Sequence, residues 1–219
     1  MAGIAAALWG WTPFLAGGFA GNLLIAALAM LLGTALGSML GRARDLPVAW
    51  LRSPAAAMTS VCRNIPSFVL LFYAALVLPV ELPWRGSFVT VPLLVKATLA
   101  LTMPVIGFAS DQGLALLRQR RERIAGAEAT YIVAWLQYFL IILMASATAS
   151  VIGADEIVGR ANRVIATDDR PAFLIATYVY VSAWFLVSGL LVSAAGGALL
   201  RNRRGDGGTP AQQAISEGA

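Results

Sequence analysis

The stretch FLAGGFAGNLLIAALAMLLGTALGSML, residues 14–40, contains no charged side chain and decides the class of this protein. A helix that crosses a bilayer needs about 20 mostly apolar residues, so this stretch is long enough to span one. Further apolar stretches follow at residues 55–80, 91–117, 130–152 and 172–200. They show no two-residue alternation, which a membrane barrel would require. We therefore predict an all-α membrane protein with about five transmembrane helices.

The composition excludes most other classes. Hydrophobic residues make up 59% of the chain and charged residues 12%, whereas soluble domains carry about 25% charged residues. With one cysteine and no histidine, the chain cannot form an internal disulfide, a Cys/His zinc site or a histidine-activated nucleophile. It also lacks a GxxxxGK[ST] phosphate loop. Most kinds of enzyme therefore lack their usual residues and cofactor sites in this chain, and if transport here is driven by ATP, another chain must bind the nucleotide.

The positions of the arginines predict the orientation in the membrane, because short loops rich in Lys and Arg stay in the cytoplasm. Ten arginines lie in three segments: Arg42, Arg44 and Arg52; Arg118, Arg120, Arg121 and Arg123; Arg201, Arg203 and Arg204. We predict an N-terminus outside and a C-terminus inside. The basic residues lie between apolar runs, which favours membrane lipid and not nucleic acid as their partner. Residues 1–13 are expected to be an extracytoplasmic segment, 14–204 the transmembrane domain and 205–219 a disordered cytoplasmic tail.

Polar residues interrupt the second apolar stretch at Arg63 and Asn64, with Pro66 shortly after. An arginine inside a bilayer is costly, and a proline frees a backbone carbonyl that lipid cannot satisfy. We expect a broken helix here that faces protein or water. Arg63 has either a buried or interfacial structural role or a direct contact with substrate; alternatively the span begins near residue 65 and Arg63 flanks it in the cytoplasm.

Other polar groups lie within or beside the later spans. Asp111 forms either an ion pair with a neighbouring helix or an interfacial contact with Arg118, and we favour the latter. Lys96 is expected to extend its amine to the headgroups. The small residues of 145–150 predict a close helix contact, although the hydroxyls of Ser146, Thr148 and Ser150 could instead line a pore.

These residues resemble a known family, the permease subunits of type I ABC importers, in its five-span branch for polar amino-acid uptake. Residues 63–66, Arg-Asn-Ile-Pro, are similar to an Arg-Gly-Thr-Pro segment of that family. The run Ala-Ser-Val-Ile-Gly at 149–153, followed by Glu156 and then Arg170-Pro171, resembles the end of its fourth span and the next loop. Asp111 stands where the family has a glutamate. The resemblance covers residues 14–204 and implies an ion-pair or structural role for Asp111, Glu156 and Arg170.

The family's cytoplasmic coupling motif is only partly present. That motif reads Glu-Ala-Ala, then Gly, then Ile-x-Leu-Pro, and docks into the ATPase; this chain retains Glu128-Ala129, with Glu122 just before, in a shorter connection. Residues 114–130 are expected to form a short helix with a basic face, which either contacts an ATPase or anchors on acidic lipids.

The resemblance implies a multi-pass subunit of the bacterial inner membrane that imports polar amino acids or similar solutes. Its partners would be a second permease, a paralogue more readily than an identical copy, two cytoplasmic ATPases and an extracytoplasmic solute-binding protein. The alternative is a structural or regulatory membrane subunit, derived from a permease, that does not transport.

Overall fold

A computed structural model of the protein describes residues 2–84 and 86–205. The described residues are mainly helical, with one short β-hairpin. Its elements are α1 (Ala2–Asp45), α2 (Ala49–Asn64), α3 (Ser67–Val77), β1 (Glu81–Trp84), β2 (Ser87–Thr90), α4 (Leu93–Arg121), α5 (Ala127–Ser146), a 3-10 helix (Ala147–Ile152), α6 (Ile157–Ile165) and α7 (Pro171–Gly205).

The predicted all-α membrane architecture is confirmed. Among the described residues, α1, α4, α7 and the combined α5 and 3-10 segment are each long and apolar enough to cross a membrane. The remaining predicted span, residues 55–80, is divided into α2 and α3, which meet at an angle of 95°. The break falls at residues 65–66, where Pro66 cannot donate a backbone hydrogen bond and disfavours a helical residue before it.

Glycines bring α1 and α4 into close contact. Gly33, Gly37 and Gly41 repeat every fourth residue and therefore lie on one face of α1. A Cβ atom on Gly37 would lie 2.5 Å from the carbonyl oxygen of Ile106 and 2.7 Å from the Cβ of Ala109. Only glycine permits this approach, and close backbone packing is the main source of helix association in a membrane. The small residues of 145–150 predict a close contact elsewhere, whereas this contact depends on the glycine repeat of α1.

The three arginine-rich segments share one end of the helix bundle. The C-terminal end of α1 packs against α4, because a Cβ on Gly41 would lie 2.8 Å from the carbonyl oxygen of Ser110. A five-residue turn then joins α4 to α5, and α7 runs antiparallel to α5, so Arg201 ends at the same level. We call this the arginine-rich end. The β-hairpin and α6 lie at the opposite end.

The limits of the first helix differ from the sequence-based expectation. Helix α1 begins at Ala2, so residues 2–13 are helical and continuous with the first apolar stretch. Helix α7 extends to Gly205. The predicted disordered tail otherwise falls on residues 206–219, which lie outside the described residues.

Candidate functional site

Asp111 of α4 binds two arginines from two other helices at the arginine-rich end. Its Oδ1 accepts a hydrogen bond from Nη1 of Arg44 at 2.7 Å, and its Oδ2 accepts one from Nη1 of Arg63 at 2.9 Å. The structure agrees with an ion pair between Asp111 and neighbouring helices. The favoured contact with Arg118 is not formed, because the carboxylate pairs with Arg44 and Arg63. One carboxylate therefore joins α1, α2 and α4. We call Arg44, Arg63 and Asp111 the charge cluster.

Hydroxyl groups extend the charge cluster into the protein. Nη1 of Arg44 also donates to Oγ of Ser110 at 3.0 Å, and the hydroxyls of Ser110 and Thr59 are 2.8 Å apart. Both hydroxyls are buried, whereas the side chain of Arg63 is 59% exposed. The cluster thus has a dry side between α1, α2 and α4 and an open side at Arg63.

The backbone near Arg63 can reach α4 because residue 107 is glycine. A Cβ on Gly107 would lie 2.8 Å from the amide nitrogen of Arg63. Immediately after this contact the chain bends at residues 65–66, and the Nδ2 of Asn64 donates back to the hydroxyl of Ser60 at 3.1 Å. Arg63, Asn64 and Pro66 therefore lie together at the bend, with Arg63 and Asn64 on the exposed side of α2.

Asn22 of α1 is the centre of a second, fully buried group of polar residues. Its Nδ2 donates to Oγ of Ser146 at 2.9 Å and to Oε2 of Glu156 at 3.0 Å, and its Oδ1 accepts from the backbone N–H of Ile157 at 3.0 Å. All three side chains are buried. We call Asn22, Ser146 and Glu156 the amide cluster. It joins α1, α5 and α6 at the end opposite the arginines.

Glu156 caps helix α6. Its Oε1 accepts from the N–H of Gly159 at 2.6 Å and its Oε2 from the N–H of Val158 at 3.0 Å, as is typical of an N-cap residue. Burial raises the pKa of the Glu156 carboxyl, although these hydrogen bonds oppose the shift. The role of Glu156 is thus local, in capping α6 and binding Asn22, and none of its hydrogen bonds comes from an arginine of the described residues.

Arginines lie around the neighbouring carboxylates instead. Arg160 donates from Nη2 to Asp155 at 2.7 Å and from Nη1 to the carbonyl oxygen of Phe14 at 2.7 Å, crossing α1 over Gly17. The hydrogen bond from Arg160 lowers the pKa of Asp155. Farther along, Arg170 binds Asp168 through its side chain and lowers the pKa of that carboxyl to about 2. Glu156 and Arg170 are therefore in separate local interactions.

The hydroxyls of residues 146–150 satisfy nearby backbone carbonyls. Ser146 donates to Leu143 at 2.6 Å, Thr148 to Ala145 at 2.6 Å and Ser150 to Ala147 at 2.9 Å. Thr148 and Ser150 stand in the 3-10 helix, and Ser146 faces Asn22.

The turn between α4 and α5 replaces the expected short helix at residues 114–130, and that expectation was wrong. Helix α4 continues to Arg121 and ends in a Schellman motif, with the N–H of Ile124 donating to Gln119 at 2.9 Å and that of Arg123 to Arg120 at 3.2 Å. Arg123 occupies the left-handed position with φ 55°, where glycine is usual. Residues 122–126 alone cannot form a coupling helix.

Ion pairs hold this turn against the ends of the helices. Nε of Arg120 donates to Oε1 of Glu128 at 2.8 Å, and Nη2 of Arg121 to Oδ2 of Asp45 at 2.5 Å. Glu122 caps α4, and Glu128 and Ala129 lie in the first turn of α5. The three residues assigned to ATPase coupling therefore lie on either side of the compact turn, at the end of α4 and at the start of α5.

Two solved structures share this architecture. The crystal structure of an amino acid ABC transporter with histidines matches with a TM-score of 0.72 at 17% identity, over 90% of this chain and 97% of that chain. The MetNI methionine ABC transporter, in an inward-facing conformation, matches with a TM-score of 0.64 at 17% identity, over 86% and 95%. The chain has an ABC importer permease fold. No protein-family model and no curated protein matches the sequence.

The permease fold and the apolar helices make the chain a multi-pass membrane protein. Within the described residues, no group of three or more acidic or cysteine side chains is arranged to hold a metal ion. The charge cluster and the amide cluster join helices by ion pairs and hydrogen bonds between side chains.

Sequence reasoning missed Asn22 and misjudged Lys96. Asn22 stands within the apolar stretch that decides the fold, and a lone amide in such a stretch was the available signal. Lys96 does not extend to the headgroups: its side chain is buried, and its Nζ binds backbone carbonyls of α3. The reason is geometric, since the end of α3 lies directly over the first turn of α4.

Proposed function

We propose that the chain is one transmembrane subunit of an ATP-driven importer in the bacterial inner membrane. Together with a second permease it would form the translocation pathway for polar amino acids or amino-acid-like solutes delivered by an extracytoplasmic binding protein. The observation that carries this proposal is the fold, which extends over nearly the full length of an amino acid transporter chain and of this one. The helix break at residues 65–66, in a segment that resembles the polar amino-acid family, supports the same assignment.

ATP and magnesium would be bound by two cytoplasmic ATPase subunits, and this chain would catalyse no reaction. Nucleotide binding would favour one of two global conformations of the permease pair, inward-open or outward-open, because nucleotide binds one of them more tightly. The arginine-rich end would face the cytoplasm and the ATPases. The hairpin, α6 and the amide cluster would then face the binding protein.

The compact turn at residues 122–126 supports a paralogue as the second permease. A turn held by Arg120 and Glu128, with no helix of its own, offers little surface for an ATPase. A partner permease with a complete coupling motif would carry most of the coupling. The same turn is the observation that favours the second candidate function, a non-transporting structural or regulatory subunit.

Purification of the intact complex, followed by reconstitution in liposomes with the binding protein and ATP, tests the proposal. We expect ATPases and a second permease to copurify and labelled amino acids to accumulate only with ATP. Copurification without uptake of any polar amino acid would favour the non-transporting subunit. Cysteines at Gln119 and Asp168 test the orientation, since only the latter should react in intact spheroplasts.

A further inference from the structure

Lys96 is the only lysine of the chain and one of its most deeply buried side chains. It lies in the first turn of α4 and is 1% exposed. Its Nζ donates to the carbonyl oxygen of Leu78 at 2.8 Å and to that of Ala75 at 3.2 Å. No carboxylate of the described residues lies within ion-pair distance of this ammonium group.

The two carbonyls belong to the C-terminal end of α3. The last four carbonyls of a helix lack intrahelical partners, and this end of a helix carries partial negative charge. Helix α3 ends at Val77, and the N–H of Leu78 closes its last turn on Ala74. A cation from another helix therefore supplies here the hydrogen bonds that water would supply on a soluble protein.

The same contact fixes the base of the β-hairpin. Only residues 79–80 separate Leu78 from β1, and the N–H of Val91 donates to the carbonyl oxygen of Val80 at 2.7 Å. Helix α4 thus binds helices α2 and α3 at two points along its length. Asp111 binds Arg63 before the bend, and Lys96 binds the end of α3, 15 residues or about 22 Å away along α4.

We propose that Lys96 is a positioning residue that caps α3 from α4 and keeps α3 and the base of the hairpin in one arrangement against α4 throughout transport. The cap itself is independent of the proposed import function, whereas its persistence during transport rests on that function. Burial of the ammonium group and its two backbone acceptors fit a permanent contact. Helices α2, α3 and α4 then move as one unit.

Hydrogen exchange on the full-length protein in lipid nanodiscs tests the cap. Lys96→Met should increase amide exchange in residues 74–80 by at least about tenfold, because it removes both charge-assisted hydrogen bonds to the end of α3, with α5 and α7 unchanged. Lys96→Arg should restore protection to within about threefold, because arginine keeps the charge and the donors. Thr98→Val is the matched control, because Thr98 is buried on the same helix but its hydroxyl donates within α4, to the carbonyl oxygen of Leu94.

Unchanged exchange at residues 74–80 in Lys96→Met would overturn the cap, and so would an equal increase in every helix, which would mean general destabilisation.

Persistence of the contact during transport is tested on the assembled complex with an amine-reactive reagent, because Lys96 is the only side-chain amine of this chain. Lys96 should stay unlabelled both without nucleotide and with ATP and vanadate. Labelling in one state alone would contradict a permanent contact. A complex that imports nothing, but retains the exchange pattern, would refute the proposed function and leave the cap in place.

Discussion

Helix α1 is joined to its neighbours by different chemistry at its C-terminal end and at its midpoint. At the C-terminal, arginine-rich end, Arg44 meets Asp111 with side chains 19% and 29% exposed, and Arg63 is open to its surroundings. At the midpoint, Asn22 is completely buried and meets Ser146 and the cap of α6. The charge cluster is partly exposed, so breaking it leaves charged groups that are not fully buried. The amide cluster is dry, so removing one member leaves donors and acceptors without partners.

The largest effect is expected from the glycine contact that brings α1 to α4 between the two clusters. Gly37→Ala places a Cβ 2.5 Å from a backbone oxygen, so the helices must separate and both clusters must shift. We expect a loss of about 3 kcal/mol in stability, measured by thermal unfolding in detergent. Gly10→Ala is the control, since nothing lies within 4 Å of its added Cβ. Equal melting temperatures for the two variants would show that α1 and α4 are not packed this closely.

A smaller but clear effect is expected from the amide cluster. Asn22→Leu keeps the volume but leaves the N–H of Ile157 without a partner and removes one of the two hydrogen bonds to Oε2 of Glu156, at a cost of about 2 kcal/mol. Asn64→Leu, on the exposed face of α2, is the matched control and should cost much less. Unfolding temperatures and the yield of folded protein on size-exclusion chromatography measure both. A cost for Asn64→Leu as large as that for Asn22→Leu would remove the distinction between dry and hydrated sites.

The charge cluster is expected to contribute less and to depend on salt. Asp111→Asn should lower stability by about 1 kcal/mol, since partly exposed ion pairs are weak, and the difference from wild type should shrink as salt is raised. Arg63→Lys should cost less than Arg44→Lys, because Arg44 also binds Ser110. Unfolding at low and high ionic strength measures these differences. A salt-independent loss larger than that of Asn22→Leu would reverse the comparison.

The smallest effect is a dependence on pH at the amide cluster. Because burial holds the pKa of Glu156 above its ordinary value of 4.5, the folded protein binds more protons than the unfolded chain just above that pH. The contribution of Glu156 to stability therefore falls as the pH rises through this window. Asp155 has a lowered pKa and loses its contribution only below its ordinary value of 3.8, so the two windows do not overlap. Glu156→Gln cannot ionise, and its melting temperature should vary less than that of wild type between pH 4.5 and about 7. Equal slopes for both proteins would contradict the raised pKa.

The sequence predicted the class of fold and the position of the helix break for physical reasons. Apolar runs must satisfy their backbone hydrogen bonds as helices, and Pro66, directly after Arg63 and Asn64, removes a backbone donor and disfavours a helical residue before it. It could not predict how the helices are arranged around one another. The partners of Asp111 are 67 and 48 residues away, and no local pattern identifies them.

The same limit explains the misjudged residues. Lys96 stands near a helix end, where an amine usually reaches the headgroups, but the end of α3 happens to cover it. The basic residues at the end of α4 indicated a short separate helix, whereas the local hydrogen bonds of Ile124 and Arg123 close the chain into a turn. The glycines at 33, 37 and 41 form a four-residue repeat that indicates a close helix contact from the sequence alone. Only the structure identifies the partner helix.

Helix α1 is longer than the hydrocarbon layer of a membrane can cover. Residues 2–41 contain no charged side chain and are helical, which makes an uncharged rod of about 60 Å. A hydrocarbon layer of about 30 Å covers at most about 40 Å of such a rod, even at the steepest tilts found in membrane helices. About 20 Å of apolar helix must therefore stand in the headgroups or beyond them, at the end that carries Trp9, which is 78% exposed. The first turns of α7 lie beside Ile4 and Leu8 of this segment. Two neighbouring helices therefore extend beyond the hydrocarbon layer at this end of α1.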